Sequence, residues 1–164
     1  MSGAYTAALS LDLQPVYRMR AVPVSAARIE RYVRAALHTV GLRHATDITI
    51  RMVDEPESQD LNREYRGKDK PTNVLSFPAD FPAEMITLMG QQPLGDLVIC
   101  LPIVSAEAHA QGKRTEHHLA HLVVHGTLHL LGYDHEPSPA DDAHMEGLEI
   151  GTLARLGFSN PYVV

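Results

Sequence analysis

The segment that most constrains the fold is GDLVICLP, an almost continuous apolar run from Gly95 to Pro102. A strand that is apolar on both faces is typical of the interior of a sheet that other elements cover. Three further strands are predicted from their residue patterns, at Ala8–Val16, Thr46–Val53 and Val74–Phe77. We therefore expect the Gly95–Pro102 strand at the centre of the sheet.

Apolar residues at helical spacing, bounded by capping residues, glycine or proline, predict five helices. They run from Ser25 to Gly41, from Pro56 to about Arg66, from Pro102 to Gln111, from Glu116 to Leu131 with Thr115 as N-cap, and from Pro139 to Leu156. Residues 79–93 have no clear period and are predicted to form a loop or flap. The resulting order, βαβαββααα, predicts an α+β fold in which helices pack on a mixed sheet.

Length and composition limit the function. A chain of 164 residues fits one domain, which we expect to cover residues 1–164. The 14 basic and 20 acidic residues give a net charge of −6, so any nucleic-acid contact needs a local basic patch. No apolar run approaches the roughly 20 residues that span a bilayer, and the N-terminus does not resemble a secretory signal. The one cysteine, Cys100, excludes an intramolecular disulfide. We expect a cytoplasmic protein without a membrane partner.

The candidate chemistry lies in HGTLHLLGYDH, residues 125–135. His125 and His129 are four residues apart on the predicted helix, so their rings leave the same face one turn apart and could bind one metal ion. His121 cannot complete the set, because a row of three along a helix spans about 12 Å. Gly132 can end the helix and turn the chain back, which would let His135 become the third ligand. Three imidazoles and an open position are typical of catalytic zinc.

The same spacing occurs in zinc peptidases, whose helix carries HExxH, a glycine turn and a third histidine. In those enzymes a glutamate after the first histidine activates water, but this chain has Gly126 there. Peptide hydrolysis is therefore disfavoured.

These residues resemble the YbeY family of bacterial ribosome-associated endoribonucleases. The segment 125–135 matches the family motif HGxLHLxGYDH at every fixed position. Residues 61–78, LNREYRGKDKPTNVLSFP, match LNxxYRxKDxPTDVLSFP with Asn73 in place of aspartate. The strand GDLVIC at 95–100 is similar to the family's GDIVIC, and Met145, Glu149 and Leu156-Gly157 also fit, so the resemblance covers roughly residues 45 to 157.

The resemblance implies a metal-dependent hydrolase of the zincin-like type, with a mixed four-stranded sheet. It implies one Zn²⁺ per chain, bound by His125, His129 and His135, with His125 counted among the catalytic residues. It also implies an essential arginine, Arg66. The implied substrate is single-stranded RNA, and the implied partners are small-subunit rRNA and ribosomal particles, in 16S rRNA 3′-end maturation and ribosome quality control. The oligomeric state stays open.

The residues around Arg66 agree with an RNA substrate. Arg63, Arg66, Lys68 and Lys70 place four positive charges within eight residues, interrupted by two acidic ones. A guanidinium donates two hydrogen bonds at once to a phosphate, and a cation stabilises the charge that builds up in phosphoryl transfer. We interpret these four residues as substrate-binding, although a charged loop in solvent would have the same composition.

Three functions remain open at this point. The first is a zinc-dependent endoribonuclease, in which either water or the ribose 2′-hydroxyl attacks the phosphate. The second is a non-catalytic, zinc-containing RNA-binding ribosome assembly factor, which the missing glutamate beside His125 favours. The third is a metallopeptidase, which Gly126 disfavours.

Overall fold

The computed structural model describes residues 7–15, 24–133 and 139–163 of the chain. The strands are β1 (Leu9–Pro15), β2 (Ala45–Val53), β3 (Val74–Pro78) and β4 (Gln91–Cys100). The helices are α1 (Ala26–Thr39), α2 (Glu55–Arg66), α3 (Ala83–Met89), α4 (Leu101–Ala110), α5 (Thr115–Leu130) and α6 (Pro139–Arg155). None of these helices is long and apolar enough to cross a membrane.

The four strands form one mixed sheet in the order β1-β2-β4-β3. β1 and β4 both run parallel to β2, whereas β3 is antiparallel to β4 and lies at the edge. The apolar strand β4 therefore has a partner on each side, which confirms the prediction that it is central. The sheet and its helices confirm the predicted α+β class.

β4 contains a bulge that sets the position of its second half. Asp47 pairs with Pro93 and the next residue, Ile48, pairs with Gly95, so Leu94 is an extra residue in β4. Gly95 has a φ of +120°. A Cβ there would clash with the carbonyl oxygen of Phe77 on the neighbouring strand, so the position requires glycine.

The two faces of the sheet pack against different helices. One face carries Ile48, Ile50 and Met52 of β2, which belong to the main core with α1, α5 and α6. The opposite face carries a smaller apolar cluster, in which Leu61 of α2 packs against strand residues; the buried members are Val53, Leu75, Val98 and Cys100. Cys100 is thus a buried apolar residue of the sheet, as its sequence context suggests.

Two local predictions are wrong. Residues 79–93 are not a loop throughout, because α3 occupies 83–89 and β4 begins at Gln91. α3 has no buried residue, so it has no amphipathic pattern that a sequence could reveal. Thr115 is the first residue of α5 and not its N-cap, which is Arg114.

Candidate metal centre and RNA-binding loop

The histidine pair lies on α5, which is largely buried against the sheet and the neighbouring helices. The rings of His125 and His129 are 4.4 Å apart between centroids and inclined at 74°. Both side chains are only partly buried, and His125 keeps 21% of its side-chain surface exposed. The predicted spacing on one helix face is therefore realised, and the two imidazoles are close enough to approach a common ion.

A buried carboxylate of α6, that of Glu149, contacts one member of this pair, His125, and the preceding histidine of α5, His121. Glu149 has no exposed side-chain surface and accepts hydrogen bonds from His125 Nδ1 at 3.0 Å and from His121 Nε2 at 2.6 Å. Burial alone would raise the pKa of Glu149, but the hydrogen bonds from the two histidines and from Tyr162 outweigh it and hold the pKa well below its ordinary value. Burial lowers the pKa of His121, although the bond to Glu149 acts in the opposite direction.

The contact between His125 and Glu149 determines which nitrogen of the His125 imidazole carries the proton. A carboxylate that accepts from Nδ1 keeps the proton on that nitrogen and leaves Nε2 as the atom through which His125 would bind a metal ion. Carboxylate–histidine pairs of this kind commonly orient metal ligands in proteins.

Tyr162, in the segment after α6, contacts the same carboxylate. The Tyr162 hydroxyl donates to Glu149 Oε1 at 2.6 Å, and the Tyr162 ring lies 5.3 Å from that of His121. Burial and the bond to Glu149 raise the pKa of Tyr162, which stays protonated as the donor. The Lys113 ammonium donates to the Pro161 carbonyl at 2.6 Å. Tyr162 is therefore a further donor to Glu149, beside His121 and His125.

Gly126 follows the first histidine and faces the sheet, not the candidate metal site. A Cβ built on Gly126 would lie 2.8 Å from Leu97 Cδ2 and 3.0 Å from Leu97 Cδ1. Leu97 is fully buried in β4. The absence of the peptidase glutamate therefore has a packing reason, because a larger side chain at 126 would require the buried Leu97 side chain to move.

α5 ends as the sequence predicts. Gly132 has a φ of +97°, and the Tyr133 amide donates back to the Leu128 carbonyl at 3.0 Å. His135, the predicted third ligand, lies outside the described residues. Among residues 7–15, 24–133 and 139–163, no group of three His, Cys, Asp or Glu side chains is arranged to hold a metal ion. The third ligand therefore stays a prediction.

The loop between α2 and β3, residues 67–73, follows the candidate arginine and is called the basic loop here. α2 ends at Gly67, whose φ is +69°. Two buried polar residues of α2 hold the loop: Asn62 Nδ2 donates to the Lys70 carbonyl at 2.8 Å, and Ser58 Oγ donates to the Thr72 carbonyl at 2.9 Å. These bonds fix the loop backbone and leave its charged side chains in solvent.

The four basic residues predicted to bind substrate differ in their surroundings. Arg66, Lys68 and Lys70 are exposed, and their side chains form no hydrogen bond or ion pair within the described part of the chain. Arg63 contacts Asp60 at 2.9 Å and Asp69 at 3.3 Å. The hydrogen bonds that Arg63 donates, first to Asp60 and then to Asp69, raise the pKa of Arg63. Arg66 is thus available to a phosphate, whereas Arg63 is engaged by two carboxylates.

Asn73, the one departure from the family motif, ends the basic loop. Its side-chain amide donates to Glu107 Oε1 at 3.1 Å, and its side-chain oxygen accepts from the Val74 amide at 2.7 Å. Glu107 also accepts from His118 Nε2 at 2.8 Å. A neutral amide suits this position, because an aspartate would place a second carboxylate against Glu107.

Two residues of the site carried no functional prediction from the sequence. Glu149 entered only as a family match, and Tyr162 gave no signal. A single carboxylate in a helix is usually solvent-exposed, and only the packing of α6 on α5 shows its role. His121, which helix geometry excludes as a third ligand, instead contacts Glu149 at 2.6 Å.

Together, the mixed sheet and the histidine pair define an α+β protein with a candidate metal site on a helix packed against the sheet. A solved structure with this fold is the solution structure of TM1509 from Thermotoga maritima, which aligns with a TM-score of 0.52 at 23% identity over 95% of this chain and 99% of that one. At that identity the likeness supports the fold alone.

The family follows from sequence comparison. The family model described as "Endoribonuclease YbeY" matches residues 18–157. A protein of Acinetobacter baumannii (strain AB307-0294) named "Endoribonuclease YbeY" is 50% identical over 154 residues, covering 94% of this chain and 98% of that protein. The protein of that name from Coxiella burnetii (strain Dugway 5J108-111) is 47% identical over 155 residues, covering 94% and 98%. The chain belongs to the YbeY family.

Proposed function

We propose that the protein is a zinc-dependent endoribonuclease that cuts single-stranded RNA in the cytoplasm and acts in 16S rRNA 3′-end maturation and ribosome quality control. The relatives that match nearly the whole chain are named as endoribonucleases. The observation that carries the proposal is the pair of neighbouring imidazoles, His125 and His129, one of which is bonded through Nδ1 to a buried carboxylate.

The donor set suits zinc. Imidazole nitrogens are good ligands for Zn²⁺, and a carboxylate behind a ligand histidine increases its basicity. His125, His129 and His135 would hold the ion. When bound, zinc supplies Lewis-acid activation of water at near-neutral pH.

The chain's own residues have separate tasks in this proposal. Glu149 keeps the proton of His125 on Nδ1 and fixes the orientation of the ring. Arg66 binds the phosphate of the RNA, because its guanidinium is exposed at the end of a fixed helix. Lys68 and Lys70 of the basic loop attract the strand, and Arg63 contributes less because Asp60 and Asp69 already engage it.

The test compares RNA cleavage and zinc content in the wild type, His129→Ala and Arg66→Glu. His109→Ala and Arg155→Glu are matched controls, because both residues are exposed and lie on other helices, α4 and α6. We expect His129→Ala to lose zinc and cleavage together. We expect Arg66→Glu to keep zinc and lose cleavage, and both controls to behave as the wild type.

Two outcomes contradict the proposal. Equal cleavage by all five samples would show that the activity comes from a contaminant. Cleavage by a zinc-free His129→Ala sample would show that the histidine pair is not needed for the reaction.

The assembly-factor alternative has one observation in its favour. Gly126 has no side chain and lies against Leu97, so no carboxylate follows His125 on the helix as it does in HExxH enzymes. A folded His129→Ala protein that still restores rRNA maturation in cells would favour this alternative over the nuclease.

A further inference from the structure

A cavity lies on the opposite face of the sheet from the histidine helix, next to α2. It has a volume of about 520 Å³, within the range of small-molecule sites, and its walls include Thr49, Arg51, Glu57, Tyr65, Phe77 and Asp96. Thr49 and Arg51 alternate along β2 with the buried Ile48, Ile50 and Met52, which places the cavity on the face away from α5. Neither the histidine site nor the basic loop accounts for this cavity.

The walls of the cavity combine aromatic surface with an unpaired acceptor. Tyr65 is 61% exposed, and its ring meets that of Phe77 edge to face at 5.1 Å. Asp96 lies directly opposite Phe77 in the sheet, is exposed, and has no side-chain hydrogen bond within the described residues. Arg51 is already bonded to Glu57 at 2.6 Å, so the charges of those two side chains compensate each other. The carboxylate of Asp96 is therefore the charged acceptor that a ligand would meet.

We propose that this cavity binds one unpaired nucleobase of the RNA strand, with guanine preferred. The inference rests on the proposed endoribonuclease function and names a specificity site for it. Single-stranded RNA is commonly read by stacking a base on an aromatic ring and by hydrogen bonds to its Watson–Crick edge. Tyr65 supplies the ring and Asp96 supplies the acceptor.

Guanine fits this acceptor better than the other bases do. Its Watson–Crick edge presents the ring N1–H and the 2-amino group side by side, and a carboxylate can accept two parallel N–H bonds. Adenine and cytosine place an acceptor nitrogen beside their amino group, and that nitrogen would face the carboxylate unfavourably. Uracil offers one N–H between two carbonyl oxygens.

The position of the cavity links it to the phosphate-binding arginine. Tyr65 and Arg66 are consecutive at the end of α2 and their side chains leave the helix about 100° apart, so a strand with a base on Tyr65 would pass the same end of the helix as Arg66. A base in a cavity cannot at the same time be paired in a duplex. The cavity would therefore also give a physical reason for a preference for single strands.

The test measures the affinity of the full chain for fluorescein-labelled pentauridylates whose central residue is guanosine, inosine or adenosine. Binding is read by fluorescence anisotropy at 4 °C, and cleavage of the same oligonucleotides is measured separately at the working temperature. Inosine lacks the 2-amino group and retains the N1–H. Asp96→Asn tests the acceptor, Tyr65→Ala tests the stacking ring, and Asp80→Asn is the control, because Asp80 is exposed and not among the cavity residues.

We expect the wild type to bind the guanosine oligonucleotide about tenfold more tightly than the inosine one. Asp96→Asn should reduce this ratio to within about twofold, whereas Asp80→Asn should retain it, although both substitutions remove one negative charge. Tyr65→Ala should weaken the binding of all three oligonucleotides by about tenfold or more.

A guanosine preference that survives Asp96→Asn, or a wild type that binds the three oligonucleotides equally, overturns the inference. Metal-dependent cleavage that is independent of the base would then leave the endoribonuclease proposal standing without this site. A wild type that neither binds nor cuts any of these RNAs would overturn both.

Discussion

Replacing Glu149 by glutamine changes one atom of a fully buried side chain and should weaken both zinc binding and the stability of the metal-free protein. The carboxylate accepts from His121 and Tyr162 at one oxygen and from His125 at the other. A glutamine that points its carbonyl oxygen at His121 and Tyr162 presents its NH₂ group to His125 Nδ1. The imidazole can accept that bond only by moving its proton to Nε2, which is the nitrogen that would bind the metal.

The expected magnitudes follow from the three bonds. Hydrogen bonds to a charged group contribute about 1.5–3 kcal/mol each and neutral ones about 0.5–1.5 kcal/mol. Two weakened bonds and one forced tautomer should lower the free energy of unfolding of the metal-free protein by about 3 kcal/mol. Loss of the carboxylate behind a ligand histidine should weaken zinc binding by about 10- to 100-fold.

The assay combines urea denaturation of the metal-free protein with zinc competition against a chromophoric chelator. Glu146→Gln is the control, because Glu146 lies one turn earlier on α6, is partly exposed and changes the charge by the same amount. Glu149→Gln with the zinc affinity of the wild type would refute the reasoning about the His125 tautomer. Equally weakened zinc binding in both variants would show that the effect comes from the loss of a negative charge at long range.

Three further predictions concern stability, each measured by denaturant unfolding. Gly95→Ala should lower the free energy of unfolding by about 3 kcal/mol or more, because φ is +120° and the new Cβ would clash with the Phe77 carbonyl oxygen. A Gly95→Ala protein as stable as the wild type would contradict the described bulge. Asn73→Asp should lower the free energy of unfolding by about 1 kcal/mol at pH 7, and by less at high ionic strength, because it would place a second carboxylate against that of Glu107; a decrease independent of salt would exclude charge repulsion. Burial, and then the bond to Glu116, raise the pKa of Tyr32 to about 12, so this phenol stabilises the fold below pH 10 and the contribution is lost as the pH rises towards 12. Over this pH range the free energy of unfolding of the wild type should fall by about 2 kcal/mol more than that of Tyr32→Phe. Parallel pH profiles for the two proteins would contradict the assignment.

The parts of the fold with a periodic pattern could be predicted from the sequence. β4 is apolar on both faces because it is covered on both, and α1 has a clear apolar stripe, so both were expected. α3 could not be predicted, since it lies on the surface and packs no side chain into the core. Periodicity reports burial, and an element without burial leaves no such pattern.

The residues of the candidate site also differ in whether a local sequence pattern or only the tertiary packing shows their role. The spacing of His125 and His129 encodes their common face, because the helix geometry alone brings them together. Glu149 could not be assigned this way, since it meets His125 only through the packing of α6 on α5. The reason for Gly126 is also tertiary, because Leu97 of β4 occupies the space. Contacts between distant segments are set by the whole fold, and one sequence does not show them.

The bond between Tyr162 and Glu149 has a consequence for the order of events during synthesis. Tyr162 follows Glu149 by 13 residues in the chain, and both follow the histidine helix. A growing chain leaves the ribosome from its N-terminus, so α5 can fold while Glu149 and Tyr162 are still inside the exit tunnel. The carboxylate network behind His125 is completed only after Tyr162 emerges. A nascent chain that has exposed α5 but not yet Tyr162 would therefore lack the complete hydrogen-bond network of Glu149.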